Sequence, residues 1–245
     1  MNSFYLTDSG KVRTHNEDSV IITKNISDEY LMAVADGMGG HRAGEVASSL
    51  AVTHLGKEFG KLNTIGGKKE AVKWLKDNVS EINNNIFKYT SENPESKGMG
   101  TTLVVCMFTK EYLIFGNIGD SSGFVMKNNV LHKVTRDHTL VNLLVSTGEL
   151  SEEEAEGHPR KNVLMKALGA NDPVEIDIFD VDTEIQSIML CSDGLTTMVT
   201  KEQIERVLNS DFSIEDKIIR LIKKSNNRGG TDNISIAYLE KESGD

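Results

Sequence analysis

The pattern of apolar and polar positions along this chain predicts short strands separated by a few long helices. Strand-length apolar runs cover residues 4–9, 18–23, 30–35, 101–108, 112–118, 124–126, 130–134, 174–180, 188–193 and 234–239. Helical spacing covers residues 42–59, 71–89, 139–146, 200–209 and 214–222. Polar turns at 109–111 and 127–129 join neighbouring runs as hairpins. Because consecutive hairpins replace a strand–helix–strand alternation there, the pattern predicts antiparallel sheets.

Length and charge narrow the possible classes of protein. The chain has 245 residues and no Gly/Ser-rich linker, which predicts one domain over residues 1–245. Its net charge of −10 argues against non-specific nucleic-acid binding. We find no signal-peptide pattern and no apolar run near the roughly 18 residues of a membrane span. Cys106 and Cys191 lie inside apolar runs, so we expect free core cysteines in a reducing, cytoplasmic setting.

Acidic residues recur where predicted strands meet turns of small residues. Asp36 ends the run 30–35 and precedes Gly37, after which the spacing becomes helical; the others are Asp120, Asp193 and Asp232. One such turn is also compatible with an ordinary solvated loop, but four repeats favour a common site at one sheet edge. Because crowded carboxylates repel one another, the cluster predicts bound cations. Oxygen donors without a Cys/His set favour Mg²⁺ or Mn²⁺ over zinc.

A polar turn at residues 10–18 carries Arg13 close to Asn16, Glu17 and Asp18. It is either a solvated hairpin loop or an anion-binding Arg beside carboxylates, since the planar Arg fork suits phosphate. Two hard ions about 3.5–4 Å apart can activate water and hold a phosphoryl oxygen. The residues therefore predict metal-assisted hydrolysis of a phosphoester and leave phosphatase and nuclease both open. A phosphoprotein-binding module without turnover is a further hypothesis, and the acidic balance disfavours the nuclease.

Residues 137–169 form a long excursion between predicted strands, which favours a flap beside the site. Ser151 and Glu154 have the spacing of a helix capping box. His158 in this segment is either a solvated loop residue or a catalytic acid.

The order of these motifs resembles that of the metal-dependent protein phosphatases (PPM, protein phosphatase type 2C), and most closely the compact bacterial members. The similarity extends over about residues 4 to 240 and rests on motifs that are highly specific in this order: Arg13…Asn16-Glu-Asp18, Asp36-Gly-Met-Gly-Gly-His41, Gly98-Met-Gly-Thr-Thr102, Gly119-Asp-Ser121, Ser192-Asp-Gly194 and Gly230-Thr-Asp-Asn233.

This resemblance implies an α+β fold, a four-layer αββα sandwich of two antiparallel sheets with a helix pair on each outer face. It implies hydrolysis of phosphoserine and phosphothreonine in proteins, opposite a bacterial Ser/Thr protein kinase. From the charge and the lack of a long apolar run we also expect a monomer with no nucleic-acid partner and no membrane span. The implied cofactors are two Mn²⁺ or Mg²⁺ ions and a third, weaker one. Their implied ligands are Asp36 as the bridge, the Gly37 carbonyl, Asp193, Asp232, Asp120 for the third ion, and Glu17 and Asp18 through water. Arg13 is implied to hold the substrate phosphate.

Two positions depart from the family pattern. Animal members carry a His, the proposed leaving-group acid, where this chain has Met38. The acid is then a metal-bound water, His41 or His158, and the sequence leaves all three open. Ser122 and Gly123 stand where many members have an Arg after the Gly-Asp-Ser turn, a position that we expect to be structural. The metal ligands are all present, which argues against an inactive homologue.

Overall fold

Two antiparallel β-sheets form the centre of the protein. The computed structural model describes residues 1–39 and 43–241, except for the side chain of Glu156. The strands are β1 (Asn2–Asp8), β2 (Asp18–Lys24), β3 (Tyr30–Met38), β4 (Gly100–Thr101), β5 (Leu103–Phe108), β6 (Leu113–Ile118), β7 (Ser122–Lys127), β8 (Val130–Lys133), β9 (Asp177–Val181), β10 (Ser187–Cys191) and β11 (Ile234–Glu240). The first sheet has the order β1-β11-β10-β7-β8, and the second has the order β2-β3-β5-β6-β9 with β4 paired to β3.

Helices cover the outer faces of both sheets. They are α1 (Ala43–Gly60), α2 (Lys68–Glu92), α3 (Leu140–Ser146), α4 (Glu152–Glu156), α5 (Asp193–Thr196), α6 (Lys201–Leu208) and α7 (Ile214–Asn227), with a short 3₁₀ turn at Pro94–Ser96. The long helices α1 and α2 pack on the second sheet, and α6 and α7 pack on the first. The predicted α+β class and four-layer αββα sandwich are therefore confirmed. None of the helices described is long and apolar enough to cross a membrane.

Strand β3 shows how the sequence encodes these layers. Leu31, Ala33 and Ala35 pack toward α1 and α2, whereas Met32 and Val34 pack between the sheets. Successive side chains of a strand point to opposite faces, so a strand covered on both sides needs an unbroken apolar run. That run then delivers Asp36 to the edge of the core. The predicted free cysteines are also confirmed, since Cys106 and Cys191 are both buried and unbonded.

The chain around residues 9–17 is not a hairpin loop. The predicted strands on either side exist, but β1 pairs with β11 in the first sheet and β2 pairs with β3 in the second. The connection therefore passes from one sheet to the other over their common edge. This crossing places Arg13 and Glu17 near Asp232 and Asp36. Arg13 interacts electrostatically with both aspartates, and Glu17 interacts with Arg13 and Asp232.

Candidate active site

Asp18 and Asp36 lie opposite each other on neighbouring strands at the end of the second sheet. The Asp36 backbone is held on both sides, because its N–H donates to Thr102 Oγ1 and its carbonyl accepts from the Thr102 N–H, each at 2.9 Å. Thr101 Oγ1 donates to the same carbonyl at 2.9 Å. Thr102 Oγ1 in turn lies 2.8 Å from Ser121 Oγ. These hydroxyl groups hold the Asp36 backbone in place and so determine the position of its carboxylate.

Asp193 lies just beyond the end of a strand of the first sheet and interacts electrostatically with Asp18 of the second sheet. It is the first residue of α5, directly after Ser192 and the end of β10. Ser192 Oγ donates to Asp18 Oδ2 at 2.7 Å and accepts from the Ser235 N–H at 2.9 Å. A Cβ on Gly194 would lie 2.0 Å from the Asn233 carbonyl oxygen, so α5 packs directly against the loop that carries Asp232. The two sheets are thus joined at the acidic edge.

Asp232 is bound to Arg13 although 219 positions separate them in the chain. Arg13 Nη2 donates to Asp232 Oδ2 at 2.7 Å, and Asp232 Oδ1 accepts from the Asn233 N–H at 2.9 Å. The Asn233 side chain holds the crossing loop in place: its Nδ2 donates to the carbonyls of Ser9 and His15, and its Oδ1 accepts from the Glu17 N–H. Asn233 belongs to one of the sequence motifs, but the sequence did not predict that it holds this loop.

Helix α1 begins against the backbone of Gly37. A Cβ on Gly37 would lie 2.1 Å from the Gly44 carbonyl oxygen, and a Cβ on Gly44 would lie 2.7 Å from the Gly37 carbonyl carbon. The Gly37 N–H donates to the Glu17 carbonyl at 3.1 Å. Glycine at both positions therefore allows the close approach and leaves the Gly37 carbonyl beside Asp36 without a covering side chain.

The carboxylates of this edge act on one another electrostatically. Burial raises the pKa of Asp36 well above its ordinary value, and the charges of Asp18, Asp193, Asp120 and Asp232 raise it further. Burial raises the pKa of Asp18 to about 7, against hydrogen bonds from Ser192 and Ser235. The pKa values of Glu17 and Asp193 are also raised, each chiefly by burial.

These residues fit hard divalent cations. Asp18 is 7% exposed, and its Oδ1 has no hydrogen-bond partner among the described residues. Buried carboxylates that repel one another, with one oxygen unpaired, are stabilised in their ionised form by a bound cation. As arranged, no group of three or more His, Cys, Asp or Glu side chains within residues 1–39 and 43–241 could by itself hold a metal ion. The fit therefore rests on the oxygen-donor chemistry and leaves room for water ligands.

Asp120 follows β6 and faces the predicted flap. With Asp193 it lines a cavity of about 540 Å³ whose other wall includes Asp137, Val141 and Glu152. Burial raises the pKa of Asp120 to about 7, and the charge of Asp193 adds to this. The cavity joins the acidic edge to the segment that contains α3 and α4.

His138 was missed by sequence reasoning as a residue that supports the Asp120 turn. Its Nδ1 accepts from the Gly119 N–H at 3.0 Å, and its Nε2 lies 3.1 Å from Asp177 Oδ2. Since Nδ1 accepts, the ring proton resides on Nε2 and donates to Asp177. Only the fold brings β9 to this position, so the sequence offers no signal beyond the Asp137-His138 pair that opens the flap.

Of the two candidate general-acid side chains, the structure describes only His158. His41 lies outside the described residues. His158 follows α4, and its Nδ1 accepts from the Arg160 N–H at 3.1 Å. Met38 ends β3 opposite Gly100. Of the predicted site residues, the structure therefore brings together Arg13, Glu17, Asp18, Asp36, Gly37, Asp193 and Asp232, with Asp120 adjacent through Asp193.

The chain is similar to known enzymes over almost its whole length. The family model described as Protein phosphatase 2C matches residues 10–229. A serine/threonine phosphatase, stp, from Listeria welshimeri is 41% identical over 242 residues, covering 98% of this chain and 96% of the relative. Protein phosphatase PhpP from Streptococcus pneumoniae is 38% identical over 237 residues, covering 96% and 95%.

A solved structure agrees with the sequence matches. The S. agalactiae serine/threonine phosphatase superimposes with a TM-score of 0.93 at 36% sequence identity, covering 98% of this chain and 99% of that one. The sandwich with an acidic edge thus has the architecture of serine/threonine protein phosphatases. The chain belongs to the protein phosphatase 2C family, in its compact bacterial form. The predicted family and enzyme class are confirmed.

Proposed function

We propose that this enzyme hydrolyses phosphoserine and phosphothreonine in proteins by metal-dependent attack of water. The observation that carries the proposal is the convergence of buried, mutually repelling carboxylates, centred on Asp36, with Arg13 beside them. Oxygen donors of this kind fit Mn²⁺ or Mg²⁺. We propose two ions in the core site and a third next to Asp120.

Each carboxylate has a distinct part in this proposal. Asp36 would be a ligand for both core ions, the Gly37 carbonyl would be a ligand for one, and Asp193 and Asp232 would be ligands for the other. Glu17 and Asp18 would act through water, and Asp120 and Asp193 would hold the third ion. When bound, the ions neutralise charge on the phosphoryl oxygens and lower the pKa of a coordinated water.

Arg13 binds the substrate phosphate in the proposed mechanism. Its side chain is 50% exposed, and its bond to Asp232 orients the guanidinium at the edge of the acidic cluster. A planar donor fork in this position can bind two phosphoryl oxygens and offset the charge that develops on them. His41 and His158 remain the two side-chain candidates that give a proton to the leaving serine or threonine oxygen, and a water molecule is the alternative.

We further propose that the partners are phosphorylated proteins and a cognate bacterial Ser/Thr protein kinase, whose signalling this enzyme opposes. We propose a cytoplasmic monomer that binds no nucleic acid and has no membrane span, built as one catalytic domain over residues 1–245 with a flap at 137–169. The net charge of −10 supports the exclusion of nucleic acid.

The test is phosphate release from a phosphothreonine peptide in EDTA or Mn²⁺, for the parent and for Asp36→Ala. We expect release only with metal, and its loss in Asp36→Ala. Calorimetric titration with Mn²⁺ should show weakened binding in the same variant, whose circular dichroism should match that of the parent. Full activity in folded Asp36→Ala, or release in EDTA, would contradict the proposal. No release from the folded parent with any metal would favour the phosphoprotein-binding module.

A further inference from the structure

A cationic groove lies on the outer face of the first sheet. It has a volume of about 430 Å³ between α6 and α7, and none of the described residues that line it is Asp or Glu. Its charged residues are Arg206, Arg220, Lys223, Lys224 and Arg228. The chain has 27 Lys and Arg against 37 Asp and Glu, so a cluster of basic residues alone is not expected from the overall composition.

The fold does not use these charges as ion pairs. In the part of the chain that the structure describes, none of the groove cations forms a salt bridge, and the side chains of Arg206, Lys223 and Lys224 form no hydrogen bond. Lys217 on the same helix shows the contrast. It is buried, and its Nζ lies 2.7 Å from Glu240 Oε1. The groove cations are thus available to an external anion.

Two of the arginines are already held in place. The Arg220 guanidinium lies 3.6 Å from the centroid of the Phe212 ring, which is 44% exposed. Arg228 Nη1 donates to the Met198 carbonyl at 2.8 Å and to the Gln203 side chain. Donors fixed before binding lose little freedom when a ligand arrives. An exposed aromatic ring beside them offers apolar contact as well.

We propose that this groove binds an acidic segment of the phosphoprotein substrate, which rests on the function proposed above. Charge complementarity favours carboxylates as the ligand. A flat anionic membrane would not reach the floor of a concave groove, and the net charge of −10 opposes nucleic acid. The groove also adjoins the acidic edge, since α7 leads through Arg228 into the loop that carries Asp232.

The distance to the acidic edge sets the expected spacing in the substrate. Arg220 and Arg228 are about 12 Å apart along a helix that rises about 1.5 Å per residue. The four residues from Arg228 to Asp232 span at most about 14 Å, and less in this turn, where the Gly230 N–H donates to the Ser225 carbonyl. An extended peptide with acidic residues within about eight positions of its phosphoresidue would therefore reach the groove.

The test compares Arg206→Glu/Lys223→Glu with a matched control, Lys69→Glu/Lys76→Glu on α2. All four residues are exposed, and the structure shows no partner for them among the described residues. Lys, Arg and Glu have similar helix propensities. The first measurement is fluorescence anisotropy of a labelled, unphosphorylated Glu-rich peptide in EDTA at low salt. We expect binding by the parent and the control, and binding weakened by about tenfold in the groove variant, as two charge reversals imply.

The second measurement is kcat/KM in Mn²⁺ for phosphothreonine peptides with a Glu-rich or a Gln-rich tail, and for p-nitrophenyl phosphate. We expect a preference for the Glu-rich tail in the parent and the control that Arg206→Glu/Lys223→Glu loses, with p-nitrophenyl phosphate turnover unchanged. Equal tail preference in the groove variant would overturn the proposal. So would the absence of peptide binding together with binding to phosphatidylglycerol vesicles. Failure of the proposed function would instead appear as no hydrolysis of any substrate, while the anisotropy result still decides on the groove.

Discussion

At the scale of the residue, Arg13 is the cation that lies against the acidic edge. Its guanidinium fork predicts anion binding, and the structure brings it to Asp232. The ion pair is 50% and 33% exposed on its two sides, so it contributes little to stability. Thr102 and Asn233 were not predictable in the same way, because their hydrogen bonds depend on which loops meet at the sheet edge. The chemical role of a side chain can be predicted from the sequence, whereas the residues that hydrogen-bond to it cannot.

We predict that Arg13→Ala lowers kcat/KM for a phosphothreonine peptide by about 10- to 100-fold, the range for loss of hydrogen bonds to a charged group. Because the Arg13–Asp232 pair is exposed, the unfolding temperature should change by no more than about 2–4 °C. Steady-state kinetics and thermal unfolding in Mn²⁺ measure the two effects. Arg13→Lys keeps the charge but not the fork, so we expect an intermediate kcat/KM. Unchanged kinetics in Arg13→Ala would remove Arg13 from phosphate binding.

At the scale of the element, hydrophobic periodicity was sufficient to predict those strands and helices whose apolar pattern lies within a single segment of the chain. The apolar run before Asp36 predicted β3, and the helical spacing after Gly66-Gly67 predicted α2 with ends a few residues short of Lys68 and Glu92. Pairing was harder to predict. The strands around residues 10–18 were identified, but a short polar turn between strands favours a hairpin locally. In the structure each strand finds its partner elsewhere, and β9 begins at Asp177 because its register is set by β6.

The contact between β3 and α1 leads to a prediction at this scale. We predict that Gly44→Ala separates the start of α1 from Gly37, because the new Cβ would lie 2.7–2.9 Å from backbone atoms that have no free rotation. The expected result is a loss of stability of about 1–3 kcal/mol, the range for overpacking, together with weaker Mn²⁺ binding. Urea unfolding in EDTA and calorimetric Mn²⁺ titration measure these.

Gly60→Ala at the other end of α1 is the matched control. A Cβ there meets nothing within 4 Å, so the same exchange should be neutral or stabilise the helix by up to about 1 kcal/mol. If Gly44→Ala behaves like Gly60→Ala in both measurements, the close approach of α1 does not hold the site.

At the scale of the whole molecule, charge is separated by location. The carboxylates of the proposed metal site gather where the two sheets meet, and the unpaired cations of the groove gather on the α6–α7 face. The sequence gives the net charge but not this separation, since Arg206 and Lys223 become neighbours only when two helices pack together. Buried acidic charge at one edge should make the metal-free protein sensitive to pH.

We predict that stability in EDTA falls as pH rises from about 4 to about 7. Burial and neighbouring carboxylates raise the pKa values of Asp18 and Asp120 to about 7 in the folded protein, whereas an unfolded Asp titrates near about 3.9. Between these values the folded state binds more protons than the unfolded state, so unfolding becomes easier with rising pH. Thermal unfolding across this range should show the decline in the parent and a smaller one in Asp18→Asn. Saturating Mn²⁺ should reverse the trend, because cations bind the ionised carboxylates. An unfolding temperature in EDTA that does not fall between pH 4 and 7 would contradict the electrostatic account of the acidic edge.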